Sequence, residues 1–237
     1  MKIKWSVLIA VLFAIIIFIG LVLAVIDKNE KSISSSGNTL DTKYQTIIID
    51  AGHGGGDGGA VAKDGTLEKD INLSISINLE TALKVMGYNV IMTRTTDNLI
   101  YDADVSKTIR QKKVSDIRNR TDLVNSTSNS ILISIHQNKF PKTQYSGTQV
   151  FYSSNCEESK PIAQSIQFAV RDLIQPQNKR EIKKSGTNIY MLYYSKAPAV
   201  MVECGFLSNY EECEKLKSKD YQKQMVFCIM CGILNYL

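Results

Sequence analysis

The segment IIIDAGHGGGDGGA, Ile47 to Ala60, is a β-branched apolar run that breaks into six glycines placed around one histidine and two aspartates. An apolar strand ending abruptly in glycine marks the opening of an α/β unit, and the loop that follows lies where such folds place their ligands. Two readings compete for it. Gly54, Gly56 and Gly59 complete a G-x-G-x-x-G, by which backbone amides cradle a dinucleotide pyrophosphate. The same loop carries His53, a potential metal ligand, at the mouth of the strand. The nucleotide pattern needs a helix that begins inside the loop, with its N-terminus toward the pyrophosphate. Here AVAKDGTL, residues 60–67, intervenes, and no G-K-[ST] completes a Walker loop. The hydrolase reading is therefore the stronger.

The pattern continues outward from that loop. Ile71, Ile75, Leu79, Leu83 and Met86 recur at helical spacing until Gly87, and Tyr88 to Thr93 reads as the next strand. A strand, a helix and a strand make a βαβ unit, which implies parallel pairing and a right-handed crossover. Beyond it the sequence predicts a helix from about Val114 to Ser128 and strands at Ile131 to Ile135 and Gly147 to Tyr152. A helix with Ile162, Ile166, Val170 and Leu173 on one face follows, then a basic loop around Lys179 to Lys184 and a strand at Ala199 to Glu203. Helices from Ser208 and Tyr221 close the chain. The fold class expected is α/β, with a mostly parallel central sheet flanked by helices.

Ahead of this domain, Trp5 to Ile26 is an uncharged apolar run of 22 residues behind Lys2 and Lys4. About 20 apolar residues suffice to span a bilayer, and flanking lysines favour a cytoplasmic N-terminus. Residues 1–26 are therefore expected to be a membrane anchor, with a cleaved signal segment as the alternative. Residues 27–43 are polar and serine-rich, as in a flexible linker. Residues 44–237 then form one domain with enough chain to bury a core. The net charge of +5 includes the two N-terminal lysines, and the mild remainder shows no basic stripe with aromatic partners, which argues against nucleic-acid binding. Five cysteines exclude a fully paired disulfide framework, and Cys228-x-x-Cys231 lies in an apolar segment that reads as a buried helix face.

The domain has two histidines, His53 and His136, each after a predicted strand. Ligands in open α/β sheets bind beyond the carboxyl ends of strands, so the two can converge on one ion. Two histidines and a glutamate are a known catalytic zinc set that leaves one position open. Glu68, at the start of the helix after the loop, can return to the same edge; its alternative role is to complement the helix dipole. Asp50 and Asp57 are rival ligands. Glu203 ends an apolar strand, where a carboxylate is costly unless paired or functional, and it is the candidate general base.

These residues resemble the Amidase_3 family of zinc-dependent N-acetylmuramoyl-L-alanine amidases. Asp50-Ala-Gly-His53-Gly-Gly, Glu68-Lys-Asp-Ile-Asn72-Leu, Ser134-Ile-His136-Gln-Asn138 and Pro198 to Asn209 look like the family's motifs in order, with lesser matches at Thr93-Arg94 and Arg120. The resemblance implies Zn2+ held by His53, Glu68 and His136, Glu203 as catalytic residue, and hydrolysis of the amide between N-acetylmuramic acid and L-alanine in peptidoglycan. The layout looks most like the spore-cortex, germination-specific subgroup. That implies removal of stem peptides for muramic-δ-lactam formation, coupling to a peptidoglycan deacetylase, and a location between the forespore membranes. The rival from another class is a catalytically silent wall-binding or scaffold protein with the same fold. Gly58 stands where the family usually has proline, so a looser loop and an accessory protein that stabilises it are expected.

Overall fold

The computed structural model describes residue 44, residues 46–104 and residues 108–237. The expected membrane segment at 1–26 and linker at 27–43 lie outside the described residues. Within them, β1 (Thr46–Ala51) is buried at all six positions. Its threefold isoleucine run needs apolar cover on both faces, which an inner strand of a parallel sheet receives.

That cover comes from two helical layers. On one side lie α1 (Glu68–Val85), α3 (Ser159–Ile174) and α6 (Lys219–Leu234), and on the other α2 (Ile109–Ser126) and the short α4 (Tyr190–Tyr194). The sheet between them adds β2 (Asn89–Met92), β3 (Ser130–Asn138), β4 (Gln149–Tyr152), β5 (Lys183–Lys184) and β6 (Ala199–Phe206). The strand order is β2-β1-β3-β6-β4-β5, and α5 (Tyr210–Lys217) lies between β6 and α6 in the chain. β2, β1, β3 and β6 pair in parallel, whereas β4 runs antiparallel to β6. The mostly parallel α/β sheet expected from the sequence is present.

Alternation along the strands sorts the core. Ile47, Ile49, Ile133, Ile135, Val200 and Val202 pack with Ile71, Ile75, Leu79 and Leu83 of α1 and with residues of α3 and α6. Ile48, Leu132, Ala199 and Met201 face the other way, toward Val124 of α2 and Met191 and Leu192 of α4. Each fully buried isoleucine, leucine, valine or methionine among them contributes about 1.5–3 kcal/mol. The second face carries fewer apolar residues. Asp50, Ser134, His136 and Glu203 share that face by the same alternation.

The structure differs from the expected elements in instructive places. α2 begins at Ile109, five residues before Val114, because a reciprocal capping box joins Thr108 and Gln111 at its N-terminus. Its inward residues are largely polar, Ser115, Asp116, Arg120 and Thr121, so helical apolar periodicity was weak there. Met86 and Leu173 complete apolar periods in the sequence, yet they are 48% and 53% exposed. Lys183 and Lys184, read as loop, form the edge strand. The two C-terminal helices meet at Ser218. Cys204, Cys213, Cys228 and Cys231 form no disulfide among the described residues, and Cys228 is fully buried in α6.

α3 and α6 approach closely at Gly232, where an added Cβ would lie 2.5 Å from Ile166 Cα. Helix propensity alone favours alanine there by about 1 kcal/mol. Backbone obstruction outweighs it, so Gly232→Ala is expected to destabilise the domain by about 1–3 kcal/mol. A thermal melt that shows an unchanged or raised Tm would refute this crossing.

Candidate metal centre

The carboxyl end of β1 is held by a buried ion pair. Asp50 and Arg120 are each 1% exposed, and Arg120 Nη1 donates to Asp50 Oδ1 at 2.8 Å. Thr93 Oγ1 donates to the same oxygen at 2.8 Å, and Ser134 Oγ donates to Oδ2 at 2.6 Å. Arg120 also pairs through Nε with Asp116 at 2.8 Å and donates to the carbonyls of Ala51 and His53 at 2.7 and 2.8 Å. Arg94 donates to the carbonyls of Ala51, Gly52 and Lys69 at 2.8, 3.0 and 2.8 Å. Two arginines thus hold three successive carbonyls leading into the glycine loop. Asp50, considered as a rival ligand, has both oxygens engaged in this clamp.

Beyond the clamp the chain turns at His53 with φ 64°, in the left-handed region that non-glycine residues rarely enter. The arginine-held carbonyls on one side and a Gly54–Asp57 bridge on the other maintain that turn. Asp57 is the second rival ligand, and the structure gives it another task. Its Oδ2 meets His53 Nδ1 at 2.9 Å, while Oδ1 accepts from Lys113 Nζ at 2.8 Å and Gly59 N at 3.2 Å. A carboxylate on one ring nitrogen fixes the imidazole and leaves Nε2 free to face the site.

His53 Nε2 lies 3.2 Å from Glu68 Oε2, and His136 Nδ1 lies 2.9 Å from Glu68 Oε1. Glu68, the first residue of α1 and 3% exposed, also accepts from Ala60 N, Gln137 N and Asn72 Nδ2 at 2.7, 3.0 and 3.2 Å. One ligand atom from each of His53, Glu68 and His136 lies within 4.8 Å of the others. With bonds of about 2.0–2.2 Å, an ion reaches across at most about 4.4 Å, so small side-chain adjustments suffice for a single ion to touch all three. Two imidazole nitrogens and a carboxylate oxygen suit zinc and similar borderline cations. Gly52 permits the close approach: a Cβ there would sit 2.3 Å from His136 Nε2.

The sequence placed His136 after its strand and Glu203 at the end of its own. Both lie inside, because β3 and β6 continue pairing to Asn138 and Phe206, with a register shift after His136. In that ladder His136 is the direct partner of Glu203, so the two side chains emerge together on one face. Glu203 Oε2 is buried without a hydrogen-bond partner, an orphan beside the His–Glu–His group. Such an atom is costly in a purely structural role and useful beside a cation or a reacting water.

The electrostatics reflect this crowding. Burial pushes the Glu203 carboxyl up to about 7, with His136 opposing and Glu68 reinforcing the rise. Burial works against the charge of His53, but hydrogen bonds to Asp57 and Glu68 outweigh it and hold the imidazole up to about 9. Burial likewise opposes ionisation of Asp50, yet Arg120, His136 and Ser134 bring it down to about 2. Glu68 and Asp57 are held well below the usual carboxylate range against their burial, by the histidines and, for Asp57, also by Lys113.

A depressed Asp50 stabilises the fold above its unfolded value of 3.8, and this contribution is lost as pH falls through about 2. The loss is on the order of 2 kcal/mol and falls between about pH 4 and pH 2. Arg120→Leu strands the buried carboxylate and is expected to cost about 3–5 kcal/mol at neutral pH. Denaturant titration of wild type and variant at pH 7 and pH 3 checks both. The variant's deficit should shrink at the lower pH, and a pH-independent deficit would show that the pair does not carry the effect.

The clamp, the His–Glu–His group and the paired glutamate occur in a recognisable order along the chain. Residues 47–235 match the family model described as N-acetylmuramoyl-L-alanine amidase, Amidase_3. A germination-specific N-acetylmuramoyl-L-alanine amidase of Bacillus subtilis is 34% identical over 198 residues, covering 84% of this chain and 82% of the relative. The CwlD amidase from Clostridioides difficile, solved in complex with the GerS lipoprotein, aligns with a TM-score of 0.78 and 39% identity over 81% of this chain and 98% of that one. An N-acetylmuramoyl-L-alanine amidase from Clostridium difficile 630 aligns with a TM-score of 0.71 and 29% identity, over 82% of this chain and 97% of that one. The chain therefore belongs to the Amidase_3 family of N-acetylmuramoyl-L-alanine amidases, which are hydrolases.

Proposed function

We propose that this chain is a zinc-dependent amidase that removes stem peptides from N-acetylmuramic acid in spore-cortex peptidoglycan, outside a membrane to which Trp5–Ile26 anchors it. The observation that carries the chemistry is the pairing of His136 with Glu203 beside Glu68 and His53. Zinc, when bound by His53, Glu68 and His136, supplies the Lewis acidity that polarises an amide carbonyl and makes a water more acidic. Glu203, the buried carboxyl paired with His136, accepts one proton from the attacking water as its oxygen bonds to the carbonyl carbon. It returns the proton to the departing nitrogen as the carbon–nitrogen bond breaks. The products are the lactyl carboxylic acid on the sugar and the free amine of L-alanine.

Two names among the relatives support the finer reading, the germination-specific enzyme of Bacillus subtilis and the CwlD amidase. Peptide removal from muramic acid leaves the sugar ready for a deacetylase and lactam closure, which is the proposed functional coupling. The lipoprotein held by the CwlD amidase supports an accessory protein for this chain as well. Gly58 is the feature on which such a partner would act. A Cβ there would meet only Leu67 side-chain carbons, at 3.4 Å and beyond, so the site tolerates the restraint that glycine lacks.

Glu203→Gln is expected to keep stoichiometric zinc and lose at least about a hundredfold in turnover, as removal of a general base does. His136→Ala should lose both zinc and activity. Release of stem peptides from cortex fragments, followed by mass spectrometry alongside metal analysis, separates the two; an active Glu203→Gln enzyme would remove that residue from the role. Zinc must also displace the proton that Asp57 and Glu68 favour on His53. Apparent zinc affinity should therefore rise about tenfold per pH unit below pH 9. A flat calorimetric pH profile would contradict this linkage. Gly58→Pro should raise zinc retention by the isolated domain, whereas wild type that already retains it through extensive dialysis needs no loop-stabilising partner.

A further inference from the structure

We propose that Arg180, presented by Gln149, binds a carboxylate on the second residue of the stem peptide and so sets which peptides the enzyme releases. The inference rests on the amidase reading above and extends it to the leaving group. Gln149 is the β4 partner of Glu203, so His136, Glu203 and Gln149 form a row across three adjacent strands on one face. Arg180 continues that row. Its Nη1 donates to Gln149 Oε1 at 3.2 Å and its Nε to the carbonyl of Ser146 at 2.7 Å. The guanidinium lies over the rings of Phe206, 4.5 Å from the centroid, and Tyr145, 5.7 Å away.

This arginine is fixed by neutral acceptors and aromatic faces rather than by an acid. Among the described residues no carboxylate lies within ion-pair distance of it, and its Nη2 edge has no acceptor. The nearby Glu212 accepts from the amides of Gly147 and Phe206 instead, at 2.8 Å each. The loop bearing Arg180 is itself held, since Asn178 Nδ2 donates to the carbonyl of Thr148 at 2.8 Å and Gln149 Nε2 to that of Glu181 at 2.9 Å. A planar, preorganised cation with a free edge matches a carboxylate.

The direction of the row assigns the carboxylate to the peptide. The scissile carbonyl belongs beside His53, Glu68 and His136, and the departing nitrogen must lie within reach of Glu203. The peptide attached to that nitrogen then runs away from the histidines, along Gln149 toward Arg180. Two residues of extended chain cover about 7 Å. One strand spacing from Glu203 to Gln149 is about 5 Å, with the Gln149 side chain bridging the rest. The second stem residue, a glutamate linked through its side chain, offers its α-carboxylate at that distance.

The test uses glycan tetrasaccharides bearing L-alanyl-γ-D-glutamate, with the α-carboxyl either free or amidated, and the zinc-loaded full chain. Arg180→Gln is expected to raise KM about tenfold for the free acid, with kcat within twofold, and to leave the amidated substrate unchanged. Arg180→Lys should recover part of the loss, which a packing defect would not do selectively. Equal effects on both substrates, or none on either, would overturn the assignment while the amidase reading stands. Wild type that releases no peptide from either substrate or from intact peptidoglycan would overturn both.

Discussion

The structure depends on one buried ion pair. Asp50 and Arg120 lie 70 residues apart in sequence, and the buried carboxylate of Asp50 has Arg120 as its ion-pair partner, while Arg120 is held by Asp116 as well. Their pairing stitches α2 to the carboxyl end of β1 on the sheet face with the smaller apolar core. The remaining donors of Arg120, together with those of Arg94, hold the carbonyls that lead to His53. A loop rich in glycine would otherwise carry a large conformational entropy cost. Charge-assisted hydrogen bonds to its backbone offset that cost where side-chain packing cannot.

The second constraint is strand register. Parallel pairing of β3 with β6 sets His136 against Glu203, and antiparallel pairing of β6 with β4 sets Glu203 against Gln149. Two of the four proposed chemical groups are therefore positioned by ladder hydrogen bonds rather than by loops. Glu68 comes from the first turn of α1, fixed by three donors besides the histidines. A slip of one residue in β6 would turn Glu203 into the apolar core and Cys204 toward the site. The isoleucine and valine alternation that forbids this slip thus also maintains the chemistry.

Much of this was legible in the chain. The isoleucine run ending in glycine, the period of α1 and the alternation of strand and helix gave the α/β class, and two histidines near strand ends pointed to one edge. Glu203 stood out as a charge in an apolar strand. Other features had no local signal. Arg120 lies in a helix whose inner face is mostly polar, so neither its burial nor its partner could be read from spacing. Asp57 offered the same carboxylate as a ligand would, and only geometry assigns it to His53 Nδ1. The edge strand Lys183–Lys184 carries two exposed lysines and no apolar alternation. Nothing near Arg180 in sequence indicates that Gln149 and Phe206 hold it.

The central claim is that one cation, held by His53, Glu68 and His136, works beside Glu203. Anomalous diffraction from crystals of the zinc-loaded domain, collected on both sides of the zinc absorption edge, tests it most directly. A single strong peak bonded to His53, Glu68 and His136, with Glu203 beside it but not bonded, is the predicted result. A peak bonded to Asp50 or Asp57, or one that lacks either histidine, would contradict the assignment.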